Sequence, residues 1–128
     1  VTMDLGANVT LTGGVALQTQ ENWCEFISKD LQSISFGGNA AELYFEEDKF
    51  DDFLKKLAAI KGIFYVHPVQ QYSWGQRVIR FYDPDFHILE VGENMKSVCR
   101  RFLDSGMTIE AAAVRMNVPE KFVRACVR

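Results

Sequence analysis

Two glutamates stand out in this sequence because each sits inside an otherwise apolar run. Glu42 lies in Ala40-Ala41-Glu42-Leu43-Tyr44-Phe45 and Glu90 in Phe86-His87-Ile88-Leu89-Glu90-Val91. Such runs predict largely buried strands, where an ionised carboxylate is costly unless it is paired or metal-bound. Each glutamate therefore predicts a partner, and two kinds are open. One is a divalent cation held by both carboxylates; the other is the guanidinium of Arg77 or Arg80 in a metal-free pocket. Strand alternation puts Arg80 on one face with Val78 and Tyr82, and Arg77 on the other with Ile79 and Phe81, so only one of the two arginines lines a site. Tyr44, Tyr72 and Trp74 offer an aromatic wall for a small planar or apolar ligand, against the plainer alternative of core packing. His67, next to Pro68 at a strand end, and His87, just past a turn, read as rim and exposed positions rather than ligands.

The elements that must position these residues can be read from periodicity. Short apolar runs at residues 1–5, 9–12 and 15–20, broken by Gly6-Ala7-Asn8 and Gly13-Gly14, predict three strands in hairpin succession. Residues 21–35 predict a connector with a short helix. A strand over residues 40–45 precedes the clearest helix, residues 48–60, with Phe50, Phe53, Leu54, Leu57 and Ile60 on one stripe. Asp48 is its expected cap, Asp51 and Asp52 fill its first turn, and Gly62 is its expected C′ residue. Strands follow over residues 63–67, 76–82 and 87–91. Residues 39–93 thus read βαβββ, and residues 1–20 read as the last three strands of a similar unit, making a repeat.

With 128 residues and 48% hydrophobic content, the chain predicts one globular body. No apolar run approaches a membrane span and no signal-peptide pattern opens the chain, so the expected location is the cytoplasm. Cys24, Cys99 and Cys126 lack metal or redox spacing and read as structural free thiols. Residues 1–94 hold 7 Lys and Arg against 14 Asp and Glu, whereas residues 95–128 hold 7 against 3. An acidic body therefore carries a basic tail.

The stretch Tyr72-Ser73-Trp74-Gly75-Gln76-Arg77, followed by Arg80-Phe81-Tyr82-Asp83-Pro84-Asp85 and Ile88-Leu89-Glu90-Val91, resembles the terminal-strand signature of the vicinal-oxygen-chelate superfamily. That is the glyoxalase, bleomycin-resistance and extradiol-dioxygenase group. Phe86 departs from the pattern, which has glycine there, and disfavours a left-handed turn residue. The resemblance implies an α+β fold of paired βαβββ modules forming an open cup. Residues 1–94 would be the glyoxalase-like domain, with 1–20 a partial first module lacking its opening strand and helix, and 39–93 a complete second one. It further implies metal-ligand positions at Glu42, Glu90 and Gln18, with the fourth on the absent strand. Two carboxylates and an amide suit Mg²⁺ or Mn²⁺, and a histidine from elsewhere would admit Ni²⁺, Fe²⁺ or Zn²⁺. Glu42 and Glu90 would then be the catalytic pair, with Tyr44, Trp74, Arg80 and Tyr82 lining the ligand pocket.

Residues 95–128 predict a helical extension. The run from Thr108 through Asn117-Val118-Pro119 to Arg124 resembles a helix-turn-helix in its placing of Ala113, Asn117 and Val123. Lys121, Arg124 and Arg128 are its cations, but the tail charge is modest and the acidic body repels phosphate, so packing or dimer contact is the expected role rather than nucleic-acid binding. The apolar faces, with Val98, Phe102, Val114 and Met116, should pack on the body or a second chain. Three functions are thus open. The first is metal-assisted chemistry of the lyase or dioxygenase type on a small molecule with vicinal oxygens. The others are metal-free ligand binding of the bleomycin-resistance type, and regulation through the tail; in each case a homodimer is the expected assembly.

Overall fold

A computed structural model describes residues 1–127, which leaves Arg128 of the expected tail cations outside the described residues. The chain divides into two compact units, residues 1–36 and the part from Gly37 onward.

In the first unit β1 (Met3–Asp4), β2 (Asn8–Thr10) and β3 (Ala16–Gln18) form an antiparallel sheet in that order. The expected hairpin succession is present, with shorter strands. β3 stops at Gln18 rather than residue 20 because the Thr19 hydroxyl accepts from the Asn22 amide and caps α1 (Gln20–Ile27). A 3-10 turn follows at Leu31–Ser33.

The second unit opens with the expected βαβββ order: β4 (Glu42–Glu47), α2 (Phe50–Ala59), β5 (Tyr65–Gln71), β6 (Arg77–Tyr82) and β7 (Ile88–Glu93). The strands lie in the order β4-β7-β6-β5, with β4 parallel to β7 and the other neighbours antiparallel. Phe50 and Leu57 of α2 close over Ile79, Phe81 and Val91, forming one core on one face of the sheet. Ile60, expected in this stripe, lies beyond the helix in extended backbone and is exposed. Asp48 does not cap α2; Lys49 holds that position without a side-chain cap bond, and its amide donates to the Glu47 carboxylate at 2.8 Å. Gly62, expected at C′, has the left-handed φ of 82° but lies one position beyond C′, because the helix ends at Ala59 with Ile60 as its C-cap.

β5 continues through Pro68 to Gln71, past the expected end at His67. It can do so because it is an edge strand and its pairing with β6 shifts register on both sides of His67, so the missing proline N–H breaks no regular ladder. Phe86 takes the left-handed conformation, φ 62°, that its side chain was expected to disfavour. Asp83 holds it there: its carboxylate accepts from the Asp85 and His87 amides, both at 2.9 Å, and its carbonyl from the Phe86 amide. The ring then packs against Phe64 and Tyr82, with centroids 6.0 and 5.8 Å away.

The tail helices α3 (Met95–Asp104), α4 (Ile109–Met116) and α5 (Glu120–Cys126) enclose a core of their own. Val98, Cys99, Phe102, Ala112, Ala113, Met116, Val123 and Cys126 are buried in it. Val114, expected on the packed side, is instead 82% exposed, because one turn of α4 buries Ala112, Ala113 and Met116 and turns Val114 outward. The three cysteines are free, and burial together with the neighbouring Cys126 pushes the Cys99 thiol up to about 12. Among the described residues no helix is long and apolar enough to cross a membrane.

α3 is docked on the sheet at two points. The Phe102 ring lies where a Cβ on Gly75 would be, 2.2 Å from that position. Arg101 donates to the Gly75 carbonyl at 2.8 Å and to the Glu93 carboxylate at 2.9 Å. Arg77, on the α2 face as alternation predicts, also binds Glu93 at 3.1 Å and reaches Asp51 of α2 at 2.9 Å. Burial alone would raise the Glu93 pKa, but the bonds from Arg77 and Arg101 outweigh it and hold the carboxyl below its usual range.

Candidate functional site

Register assembles the site. Tyr44 on β4 is opposite Glu90 on β7, Glu90 is opposite Arg80 on β6, and Arg80 is opposite His67 on β5. One residue from each strand thus forms a row across the sheet, on the face away from α2. Glu42, two residues before Tyr44, points to the same side by alternation and reaches diagonally to Arg80.

Arg80 is the hub of that row. Its Nε donates to Glu42 Oε2 at 2.8 Å and its Nη2 to Glu42 Oε1 at 3.4 Å. Nη2 also donates to Glu90, which is 5% exposed. Nη1 donates to the Tyr72 hydroxyl at 2.6 Å and faces His67 Nε2 at 3.2 Å. Hydrogen bonding by Arg80 holds the Glu42 carboxyl below its usual range, whereas burial pushes that of Glu90 up, only partly offset by the guanidinium charge. The two carboxyl groups also act on one another directly, so a proton on either is felt by both.

The aromatic residues flank this row. Tyr72 and Trp74 stack with centroids 4.4 Å apart. Gln76, buried and overlooked by the sequence reading, fixes two members of the wall. Its oxygen accepts from the Trp74 indole at 3.1 Å, and its nitrogen donates to the Tyr44 hydroxyl at 2.9 Å and to the Glu93 carbonyl at 3.0 Å. Gly92 leaves room for the contact, since a Cβ there would lie 2.8 Å from the Gln76 amide and 3.0 Å from the Tyr44 ring. Tyr82 lies farther along β6 and donates to Asn39 at 2.8 Å. Gln18 belongs to the first unit, on β3 opposite Asn8.

The structure therefore brings Glu42, Glu90 and Arg80 into direct contact, places Tyr44 beside them, and adds His67 and Tyr72. A divalent ion shared by Glu42 and Glu90 would have to sit against the guanidinium they already bind, and like charges at that separation repel strongly in a partly buried site. With Arg80 in place this donor set does not fit a metal. Among the described residues no group of three or more His, Cys, Asp or Glu side chains is arranged to hold one.

In the tail, Ala113 and Val123 are buried and Asn117 turns left-handed at φ 54°, the three features on which its helix-turn-helix resemblance rests. Arg124 is engaged by Glu120 at 2.9 Å and Glu110 at 3.7 Å, so the main cation of α5 is already paired.

Residues 1–96 match the family model described as a glyoxalase-like domain. The chain is similar to a solved protein of unknown function from Agrobacterium tumefaciens str. C58, with 34% identity over 73% of this chain and 72% of that one, at a TM-score of 0.61. It shares its fold with a glyoxalase-related enzyme from Fulvimarina pelagi, at 20% identity, 69% and 63% coverage and a TM-score of 0.54. No curated protein matches the chain. From the terminal-strand signature, the βαβββ order and the match over residues 1–96, the chain belongs to the glyoxalase-like domain family of the vicinal-oxygen-chelate superfamily.

Proposed function

We propose that this chain binds a small organic molecule without the help of a metal ion, on the sheet face that carries Glu42, Glu90 and Arg80. The observation that carries this reading is the bridge made by the Arg80 guanidinium between the two carboxylates. In this reading Glu42 and Glu90 hold Arg80 and set the charge of the floor, rather than ligating a metal or acting as a catalytic base. Tyr44, Trp74 and Tyr82, with Tyr72, supply apolar contact and hydroxyl groups to the ligand. Metal-assisted chemistry of the glyoxalase or dioxygenase type is the alternative, and it requires Arg80 to leave the space between the carboxylates.

Elemental analysis of the intact protein, purified without added metal, separates the two. The expected content of Mg, Mn, Fe, Ni and Zn is far below one equivalent, and the same in Glu90→Gln. Close to one equivalent of any of them, lost in Glu90→Gln, would establish the metal-assisted reading instead.

The proposal extends to a homodimer. It is supported by the large side chains that β4 and β5 leave exposed, among them Leu43, Phe45, Tyr65, Val66 and Val69. A nucleic-acid role for the tail draws less support, because Arg124 is already neutralised by Glu110 and Glu120.

A further inference from the structure

The aromatic wall stands on one short connection. β5 ends at Gln71 and β6 begins at Arg77, and residues 72–76 between them carry Tyr72, Trp74 and Gln76. Two backbone bonds close this turn, from the Gly75 amide to the Tyr72 carbonyl and from the Tyr72 amide to the Gln76 carbonyl, both at 2.9 Å. A connection of this kind is ordinarily among the looser parts of a fold, because few apolar contacts hold it. Here it is held, and by a part of the chain beyond the residues that match the glyoxalase-like family, which end at 96.

Two routes run from α3 to the wall. The first is a packing contact. The Phe102 ring occupies the space that a side chain on Gly75 would fill, between Trp74 and Gln76 in sequence. That ring is buried in the tail core with Val98 and Met116, and the Arg101 and Arg115 guanidinium groups lie over it, 5.3 and 6.0 Å from its centroid. The second route is a chain of hydrogen bonds. Arg101 donates to the Glu93 carboxylate, and the Glu93 carbonyl accepts from the Gln76 side chain, which in turn holds the Trp74 indole and the Tyr44 hydroxyl. Arg101 also donates to the Gly75 carbonyl, so both routes meet at residues 75 and 76.

We propose that α3 is a positioning element of the ligand site, with Phe102 and Arg101 as positioning residues that set the wall formed by Tyr72, Trp74 and Tyr44. The inference rests on the ligand-binding reading above for what the wall does, but not for how the wall is held. A wall fixed before the ligand arrives spares the ligand the cost of ordering it, so the tail contributes to affinity without touching the ligand. By linkage, whatever loosens the tail weakens binding, and a bound ligand in turn favours the docked tail.

Trp74 reports on the wall directly. The chain has two tryptophans, and replacing the other, Trp23 on α1, by phenylalanine leaves Trp74 as the sole indole fluorophore. Acrylamide quenching of Trp74, with far-UV circular dichroism to establish folding, is compared in this background for Phe102→Ala, Arg101→Met and Val123→Ala. The last opens the same tail core from α5 and leaves both routes in place. Losing either route should let the turn open locally, so the quenching constant should rise at least about twofold in Phe102→Ala and in Arg101→Met. Val123→Ala is expected to lower the melting temperature and leave the quenching at its parent value. Unchanged quenching in folded Phe102→Ala and Arg101→Met would overturn the proposal, and a rise in one of them alone would overturn the role of the other residue. An equal rise in Val123→Ala would overturn it too, by marking a general loosening of the tail. If Phe102→Ala does not fold, Phe102→Leu, which keeps an apolar side chain but withdraws the ring from Gly75, carries the same comparison. No ligand or metal enters this measurement, so its failure is distinct from failure of the metal-free reading, which the elemental analysis decides.

Discussion

Gly75→Ala should destabilise the protein by about 4 kcal/mol, combining roughly 1–3 kcal/mol for overpacking with a similar strain for a non-glycine residue forced to positive φ. Gly75 has a φ of 90°, and the added methyl would lie 2.2 Å from one carbon of the Phe102 ring and 2.6 Å from another. Phe102 is anchored in the tail core beside Val98 and Met116, so it cannot move aside without opening that core. The Arg101 bonds to the Gly75 carbonyl and to Glu93 lie beside the same contact and should loosen with it. Urea denaturation followed by circular dichroism measures the loss, and an unchanged midpoint would show that α3 is not seated on the sheet in this way.

Arg80→Leu should cost about 3–5 kcal/mol near neutral pH, the range expected when one partner of a buried ion pair is removed. The variant leaves Glu90, whose side chain is 7% exposed, beside Glu42 with no positive charge to hold either. The pH dependence is the more specific signature. In the wild type Glu42, Asp51 and Glu93 have folded-state pKa values below their ordinary ones, so their contribution is complete above the usual carboxylate range and is lost as pH falls through the folded values. Glu90, already raised by burial, should rise further once Arg80 no longer offsets that burial. A group with a raised folded pKa binds more protons folded than unfolded, so acidification favours the folded state through that site. The gap between Arg80→Leu and wild type should therefore narrow as pH falls from neutrality into the carboxylate range. A gap that stayed constant over this window would show that Arg80 contributes packing rather than charge.

The features legible in the sequence are those set by local pattern. The βαβββ order over residues 39–93, the α2 stripe from Phe50 to Leu57 and the opposite faces of Arg77 and Arg80 all follow from periods of 2 and 3.6 residues. Isolated polar residues in apolar runs likewise made Glu42 and Glu90 conspicuous, because burial demands a partner for each. What local pattern does not carry is register. His67 meets Arg80 only because β5 bulges at the sheet edge, and Gln76 becomes an organiser of Tyr44 and Trp74 only through pairing with β7 and the space left by Gly92. Val114 and Ile60 were misplaced for a related reason. Hydrophobicity marks residues that favour burial, but the packing of α3 and α5 around α4 and the end of α2 at Ala59 decide which are buried. The left-handed Phe86 is a further case, since three hydrogen bonds accepted by Asp83 overrule an intrinsic preference.

In the proposed function a guanidinium, and not a metal ion, joins Glu42 to Glu90. A crystal structure of the full chain grown with millimolar Mn²⁺ or Zn²⁺, with anomalous diffraction recorded at the metal edge, tests it most directly. The expected result is the Arg80 guanidinium between the two carboxylates and no anomalous peak there. An anomalous peak within bonding distance of Glu42 and Glu90, with Arg80 turned away, would contradict it.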